Sequence, residues 1–359
     1  VTGGICQDNV TKDTHEPDPL LKAMLPRRHL VLLCAALFLS GCATGTALPR
    51  DARAASSVSD GTFTMRDGAV LPYRIWQPPG LTQGAEPWAV VLALHGFNDS
   101  RDAWELPAPF FTEAGVTLIA PDQRGFGQAP GRGHWPGTNA LVDDAADMTR
   151  IIRAQFPTAR LYLMGESMGG AVLLRLATEP FAPAVDGYIL LAPAVWGRAE
   201  MNIFLRTTLW AASHLFPSMS LGSSPIRIKA SDNMEALIRL STDPLTLHET
   251  RVDTLKGLVD LMDTALAAAP HFKQPSLFLY GGKDELVPGR ATAATWRGLE
   301  EAANQGTCIA YYPGGYHLLL RDLDRMVPIT DVLAWMAHPT SPLPSGADRR
   351  AKEWLAEQA

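Results

Sequence analysis

Cysteine is scarce in this chain: four in 359 residues, at positions 6, 34, 42 and 308, none in the paired spacing of a zinc site. Four cysteines in so long a chain also exclude a disulfide-built scaffold. Charge is sparse too. Charged residues make up 19%, the formal net charge is −6, and no basic block exceeds the pairs Arg27-Arg28 and Arg349-Arg350, so a nucleic-acid partner is excluded. No long stretch joins low hydrophobicity to high charge, which excludes a largely disordered chain. The apolar run from Leu30 to Leu39 is half of the roughly twenty residues a bilayer span takes. His214, His248 and His271 have no metal-like spacing, and neither a metal nor another cofactor is expected. What is plentiful is apolar sequence, 47% of residues, enough for one large α/β unit with an insertion.

The most informative stretch runs from Leu161 to Gly170. An apolar run ends abruptly in Gly165-Glu166-Ser167-Met168-Gly169 and passes into helix-like sequence from Ala171 to Thr178. Strand, sharp turn and helix in that order make a nucleophile elbow. The turn strains the serine backbone and leaves no room for side chains at 165 and 169, so glycine is required at both. Ser167 Oγ then stands alone at the top of a sheet, beside the unpaired N–H groups that open the helix. A bare Gly-x-Ser-x-Gly also marks ordinary tight turns; the flanking strand and helix are what point to chemistry.

Around the elbow, apolar runs alternate with helical patterns. Phe63 to Trp76 reads as two short strands turning at Arg66-Asp67-Gly68. Buried parallel strands are expected at 88–94, 116–120, 187–192, 276–280 and 307–312, and helices at 141–156, 291–303 and 326–336. Asp143, Asp144 and Asp147 read as the solvated face of the first of these helices. Between Pro193 and Pro275 the alternation lapses into helix-like pieces at 201–216, 234–240 and 252–269, an insertion of about 194–274 read as a cap over the strand ends. The body is therefore expected from 61 to 338, with 42–60 a flexible tether and 339–359 a loose tail ending in at most a short peripheral helix. The fold class is α/β, a mostly parallel sheet flanked by helices, with function at the carboxyl ends of the strands.

Two further candidates fall at such ends: Asp284 after Leu277-Phe-Leu-Tyr-Gly-Gly-Lys, and His317 after Ile309-Ala-Tyr-Tyr-Pro-Gly-Gly-Tyr. With Ser, Asp and His in this order, the chain resembles the α/β-hydrolase superfamily over roughly 61–338. Gly165-Glu-Ser-Met-Gly-Gly170, His95-Gly96, Asp243-Pro244 and Tyr316-His317 are similar to its monoacylglycerol lipase and lysophospholipase branch. The resemblance implies Ser167 as nucleophile, His317 as general base and then acid, Asp284 as the acceptor that orients the imidazole, and the Phe97 and Met168 backbone N–H groups as oxyanion hole. It also implies hydrolysis of a small ester or lipid through an acyl-enzyme, without a cofactor. The chain departs from the branch with Asn98-Asp99 where a Gly-Glu pair is common, and with Gln128 where a serine is. Glu285 is a rival to Asp284, and His95 reads as structural. Phe204, Leu205, Trp210 and Leu215 in the cap line an acyl-chain pocket, touch a lipid surface, or belong to a helix packed flat on the core. The competing functions are a peptidase of the same fold, holding a substrate amine on Glu166 or a cap acid, and an inert lipid-anchored binding protein.

The run at 30–39 has the length of a signal-peptide core and follows Arg27-Arg28. Leu39-Ser40-Gly41-Cys42 at its end resembles the lipobox of bacterial lipoproteins, in which the chain is cut before the cysteine and that cysteine carries the lipid. This implies 1–41 as a signal region, Cys42 as the lipid anchor, and a membrane of the bacterial cell envelope as the location. Acidic residues ahead of the basic pair are odd for such a leader and make Met24 the expected start. Once Cys42 is acylated, Cys308 is the one free thiol and no intrachain disulfide is expected.

Overall fold

The computed structural model describes residues 57–59, 61–81, 85–222, 228–301 and 306–358. The expected signal region, the anchor Cys42 and most of the tether lie outside these residues.

In chain order the body runs β1 (Ser57–Ser59), β2 (Thr62–Thr64), β3 (Val70–Trp76), β4 (Ala89–Leu94), α1 (Ala108–Glu113), β5 (Val116–Pro121), α2 (Thr138–Gln155), β6 (Arg160–Glu166), α3 (Met168–Leu176) and β7 (Gly187–Leu191). The insertion follows with α4 (Ile203–Leu215), β8 (Ser220–Leu221), α5 (Met234–Thr242), β9 (Thr250–Arg251) and α6 (Val252–Ala268). Alternation resumes with β10 (Ser276–Gly281), α7 (Gly289–Glu301), β11 (Thr307–Tyr312), α8 (Met326–Ala337) and α9 (Ala347–Glu357). Among the described residues one sheet has the order β1-β2-β3-β5-β4-β6-β7-β10-β11. Its first strands are antiparallel, with β3 opposing β5, and every pairing from β5 to β11 is parallel.

Strands β4, β5, β7 and β10 are buried along their lengths, which is why they read as unbroken apolar runs, whereas β11 at the sheet edge is mostly half-buried. Alternate side chains then serve opposite cores. Val90, Leu92, Leu163 and Leu190 join α2, α3 and α6 on one face; Val91, Ala93, Met164 and Leu191 join Ile329, Val332 and Trp335 of α8 on the other. The central strands therefore end in one row, at the edge where the elbow emerges.

Three features differ from the reading above. Asp143, Asp144 and Asp147 are buried, not solvated. Arg124 bonds Asp144 at 2.8 Å and also Asp67, and Asp147 is held by Arg150 at 2.9 Å and by Arg66. Arg66 and Arg124 come from the hairpin turn and the loop after β5, so the periodicity of α2 alone could not announce them.

Secondly, the insertion divides. Helix α6 belongs to the body, with Leu258, Leu261, Met262 and Ala265 in the main core against α3, whereas α4 and α5 each bury a single residue, Leu209 and Ala236.

Thirdly, the tail is not loose. Helix α9 packs along β11, with Ala347, Ala351 and Leu355 buried. Trp354 stacks on Tyr311 at 5.0 Å between ring centroids and meets the Trp296 edge at 5.3 Å. Its half-buried ring predicts that Trp354→Ala costs roughly 2–3 kcal/mol, somewhat below a fully buried tryptophan. Thermal unfolding should register this as a drop in Tm of several degrees, with kcat unchanged.

Candidate active site

Ser167 sits between β6 and α3 at φ 51°, ψ −112°, in the left-handed half of backbone space that few non-glycine residues enter. Its neighbours over-determine that geometry: Ser167 N–H donates to the Leu191 carbonyl at 2.9 Å, and the Ser167 carbonyl accepts from Ala171 and Ala194 at 3.0 and 2.9 Å. A Cβ at 169 would overlap the Leu94 carbonyl, and one at 165 would lie 2.5 Å from the Gly169 carbonyl carbon. Both glycines are thus required by close approach, as the elbow pattern demands.

The loop after β10 supplies Asp284, whose side chain is fully buried. Its Oδ1 accepts from the Leu286 and Val287 N–H groups at 2.7 and 2.9 Å, and its Oδ2 meets His317 Nδ1 at 2.8 Å. With Oδ1 committed to the turn, Oδ2 faces the ring. Glu285, the rival acid, points elsewhere and accepts from the Lys229 N–H at 2.9 Å. Burial pulls the His317 pKa down, but the Asp284 carboxylate, by charge and hydrogen bond, and the Glu166 charge more than offset it. The imidazole titrates above its ordinary 6.5.

Ser167 and His317 line one cavity of about 470 Å³, together with Phe97. Its remaining walls are largely apolar, from Trp196, Leu247, Leu255, Leu258, Met262 and Leu286 among others. Met168 is fully buried at the first position of α3, where a backbone N–H has no acceptor within the helix. Phe204, Leu205, Trp210 and Leu215 are not part of this wall. They stand exposed on α4, Phe204 at 76% and Trp210 at 62%, because only Leu209 of that helix faces inward. This removes them from the substrate pocket and equally rules out a helix packed flat.

His95 is structural, as its position suggested. Its Nε2 accepts from the Gln123 N–H at 3.0 Å and its Nδ1 donates to the Gly96 carbonyl at 2.8 Å, and burial lowers its pKa, so it is neutral. The departures from the branch pattern also find a cause. Asn98 has φ 62°, a conformation in which glycine or asparagine is favoured, and its side chain donates to Thr250 Oγ1 at 2.6 Å. Gln128 accepts from Arg101 at 2.8 Å, away from the cavity wall. Arg132 donates to the carbonyls of Pro244, Leu245 and Thr246 at 2.9, 2.8 and 3.2 Å, fixing the Asp243-Pro244 segment to the loop after β5.

One buried cluster had no signal in the sequence. Arg321 pairs with Asp99 at 2.9 Å and with Glu166, and all three lie in the cavity wall. Glu166 is a variable position of the elbow motif and its partner is 155 residues away, so nothing local marks either. Metal-binding groupings of His, Cys, Asp and Glu are absent among the described residues.

The monoacylglycerol lipase of Mycolicibacterium smegmatis is 23% identical over 283 residues, covering 78% of this chain and 98% of that protein. A solved Paleococcus ferrophilus monoacylglycerol lipase superposes with a TM-score of 0.63 at 19% identity, over 75% of this chain and 99% of that one. A soluble variant of the Saccharomyces cerevisiae monoglyceride lipase, solved with a substrate analogue, gives 0.64 at 18% identity, over 83% and 97%. These likenesses show the α/β-hydrolase fold. The family model described as serine aminopeptidase, S33, matches residues 85–324, well over half of the chain, and the chain belongs to that family of α/β-hydrolases.

Proposed function

We propose that the chain is a serine hydrolase that cleaves carboxylic esters through an acyl-enzyme, acting on single-chain lipids of monoacylglycerol or lysophospholipid type. What carries the reading is that Ser167 on its strained elbow and His317, whose Nδ1 is bonded to Asp284, line one largely apolar cavity. His317 Nε2 takes the proton of Ser167 Oγ as that oxygen bonds to the ester carbonyl carbon. The oxyanion is met by the N–H groups of Phe97 and Met168. Collapse expels the alcohol, which leaves with the proton from His317. Water then repeats the sequence, releasing the acid and restoring Ser167.

The cavity favours a lipid over a peptide. Its walls are largely apolar, and both of its carboxylates, Asp99 and Glu166, are engaged by Arg321, leaving neither to hold a substrate ammonium. Asn98 Oδ1 and Thr246 Oγ1, buried and without partners, suit the hydroxyls of a polyol leaving group. A panel of p-nitrophenyl esters of graded length beside aminoacyl anilides tests this. Medium or long acyl chains should give the highest kcat/KM, and efficient anilide cleavage would overturn the lipid reading in favour of a peptidase.

We propose further that the domain rests on a lipid surface. Exposed Ile203, Phe204, Trp210, Leu215 and Phe216 give α4 an apolar outer side on which Arg206 is the only formal charge. The tether expected after Cys42 ends where β1 joins the sheet at Ser57, so about 14 residues, at most roughly 50 Å at about 3.5 Å each, would link the expected anchor to the body. Each fully inserted side chain contributes about 1.5–3 kcal/mol. Phe204→Ser/Trp210→Ser in an unacylated Cys42→Ser chain should therefore weaken phosphatidylglycerol vesicle binding at least about tenfold in co-sedimentation, while leaving hydrolysis of a soluble short ester unchanged. Equal binding by both proteins would remove α4 from the contact.

A further inference from the structure

Three loops must hold one register for this chemistry: the loop after β4 with Phe97, the elbow with Ser167 and Met168, and the loop after β11 with His317. Each sends a charged side chain to the same buried point. Asp99 lies two residues beyond Phe97, Glu166 immediately precedes Ser167, and Arg321 lies four residues beyond His317; they are 6%, 2% and 5% exposed. Arg321 Nη1 pairs with Asp99 Oδ2 at 2.9 Å, and Nη2 donates to Glu166 Oε1.

Arg321 is itself fixed relative to His317. Its N–H donates to the Leu318 carbonyl at 2.8 Å, its carbonyl accepts from Asn233 at 2.9 Å, and the adjoining Asp322 accepts from the Tyr316 N–H at 2.8 Å and from Ser231 at 2.6 Å. On the far side the two anchored loops nearly touch. A Cβ at Gly96 would sit 3.5 Å from Ser167 Cβ and 3.7 Å from Glu166 Oε1. Any slack in the cluster would therefore pass directly into the spacing between Phe97 and Met168.

Stability does not explain such a cluster. Desolvation of buried ions offsets most of their attraction, and neutral side chains of like volume often fold as well or better. What a planar guanidinium supplies instead is direction, two bonds in a fixed fork.

We propose that Arg321 is a positioning residue, whose fork holds the loop after β4 and the elbow at the separation that lets both backbone donors reach one oxyanion. This rests on the serine-hydrolase reading.

The deciding variant is Asp99→Asn/Glu166→Gln/Arg321→Met, which removes every charge of the cluster at similar volume. Its Tm should stay within a few degrees of the parent. On p-nitrophenyl butyrate its kcat should fall about a hundredfold, the scale of one misplaced oxyanion donor, with KM changing less than about threefold. Arg321→Lys, which keeps the charge and loses the fork, should fold and lose about tenfold in kcat. Parental kcat in a folded triple variant would overturn the proposal and leave the cluster a packing feature. A rise in KM alone would overturn it too, because the groups would then bind substrate directly. Should the triple variant not fold, Arg321→Lys decides, and parental kcat there is fatal. Turnover surviving in Ser167→Ala would instead strike the hydrolase reading underneath.

Discussion

Ser167→Ala reduces ester turnover by about 10⁶ in kcat, to the residue left by binding and the oxyanion donors alone. The elbow presents one hydroxyl oxygen at the strand end, and its neighbours there, Glu166 and Met168, carry none. The loss falls on the first chemical step, so KM moves little and no acyl-enzyme accumulates in a burst experiment. Intact mass after treatment with a fluorophosphonate should show one adduct on the parent and none on the variant. An adduct on the variant would place the nucleophile elsewhere. Stability should move the other way. The alanine keeps the strained φ of 51°, but Ser167→Gly relieves it and should raise stability by about 1 kcal/mol or more while remaining inert. A protein that becomes more stable as it loses its activity at one residue stores strain there for function.

The elbow and the strands were legible because their causes are local. An unbroken apolar run flanked by helical periods reads as a buried strand, and the glycine at 165 is forced by contacts within the same strand-turn-helix unit, whereas the one at 169 meets the end of neighbouring β4 at Leu94. The burial of Asp144 and Asp147 is not legible locally, because their partners Arg124 and Arg66 arrive from other parts of the chain. Composition made the tail look loose, since Pro339, Pro342, Pro344 and Gly346 precede it. Its helix is held by Tyr311 and Trp296, residues no window around Trp354 contains. The apolar circumference of α4 could equally serve a pocket, a core or a lipid surface, and only the observed exposure separates these. The Asp99–Arg321–Glu166 cluster was silent for the same reason: ion pairs over long separations leave no period to detect.

Asp284→Asn tests the orientation of the relay and should lower kcat by about 10⁴ at neutral pH, the scale expected when the imidazole is held in the unproductive tautomer. The structure gives the reason. Oδ1 of Asp284 is bound by two backbone donors, Leu286 and Val287, so an asparagine must place its carbonyl oxygen there and turn its amide group toward His317. An N–H facing Nδ1 makes that nitrogen the acceptor and moves the ring proton to Nε2, the position that must be empty to receive the proton of Ser167. The parent should show the opposite sign in its pH profile. Because His317 titrates above 6.5, it is protonated and inactive below that point, and the acidic limb of kcat/KM should have its midpoint above 6.5. Loss of the Asp284 charge should shift the variant's limb to lower pH on a much lower plateau. Glu285→Gln, altering the neighbouring acid that bonds Lys229, should stay within about threefold of the parent, the scale of a lost surface contact. If the variant at 285 loses activity and the one at 284 keeps it, the assignment is reversed, and His317 takes its orientation from Glu285, the carboxylate bonded to the Lys229 N–H.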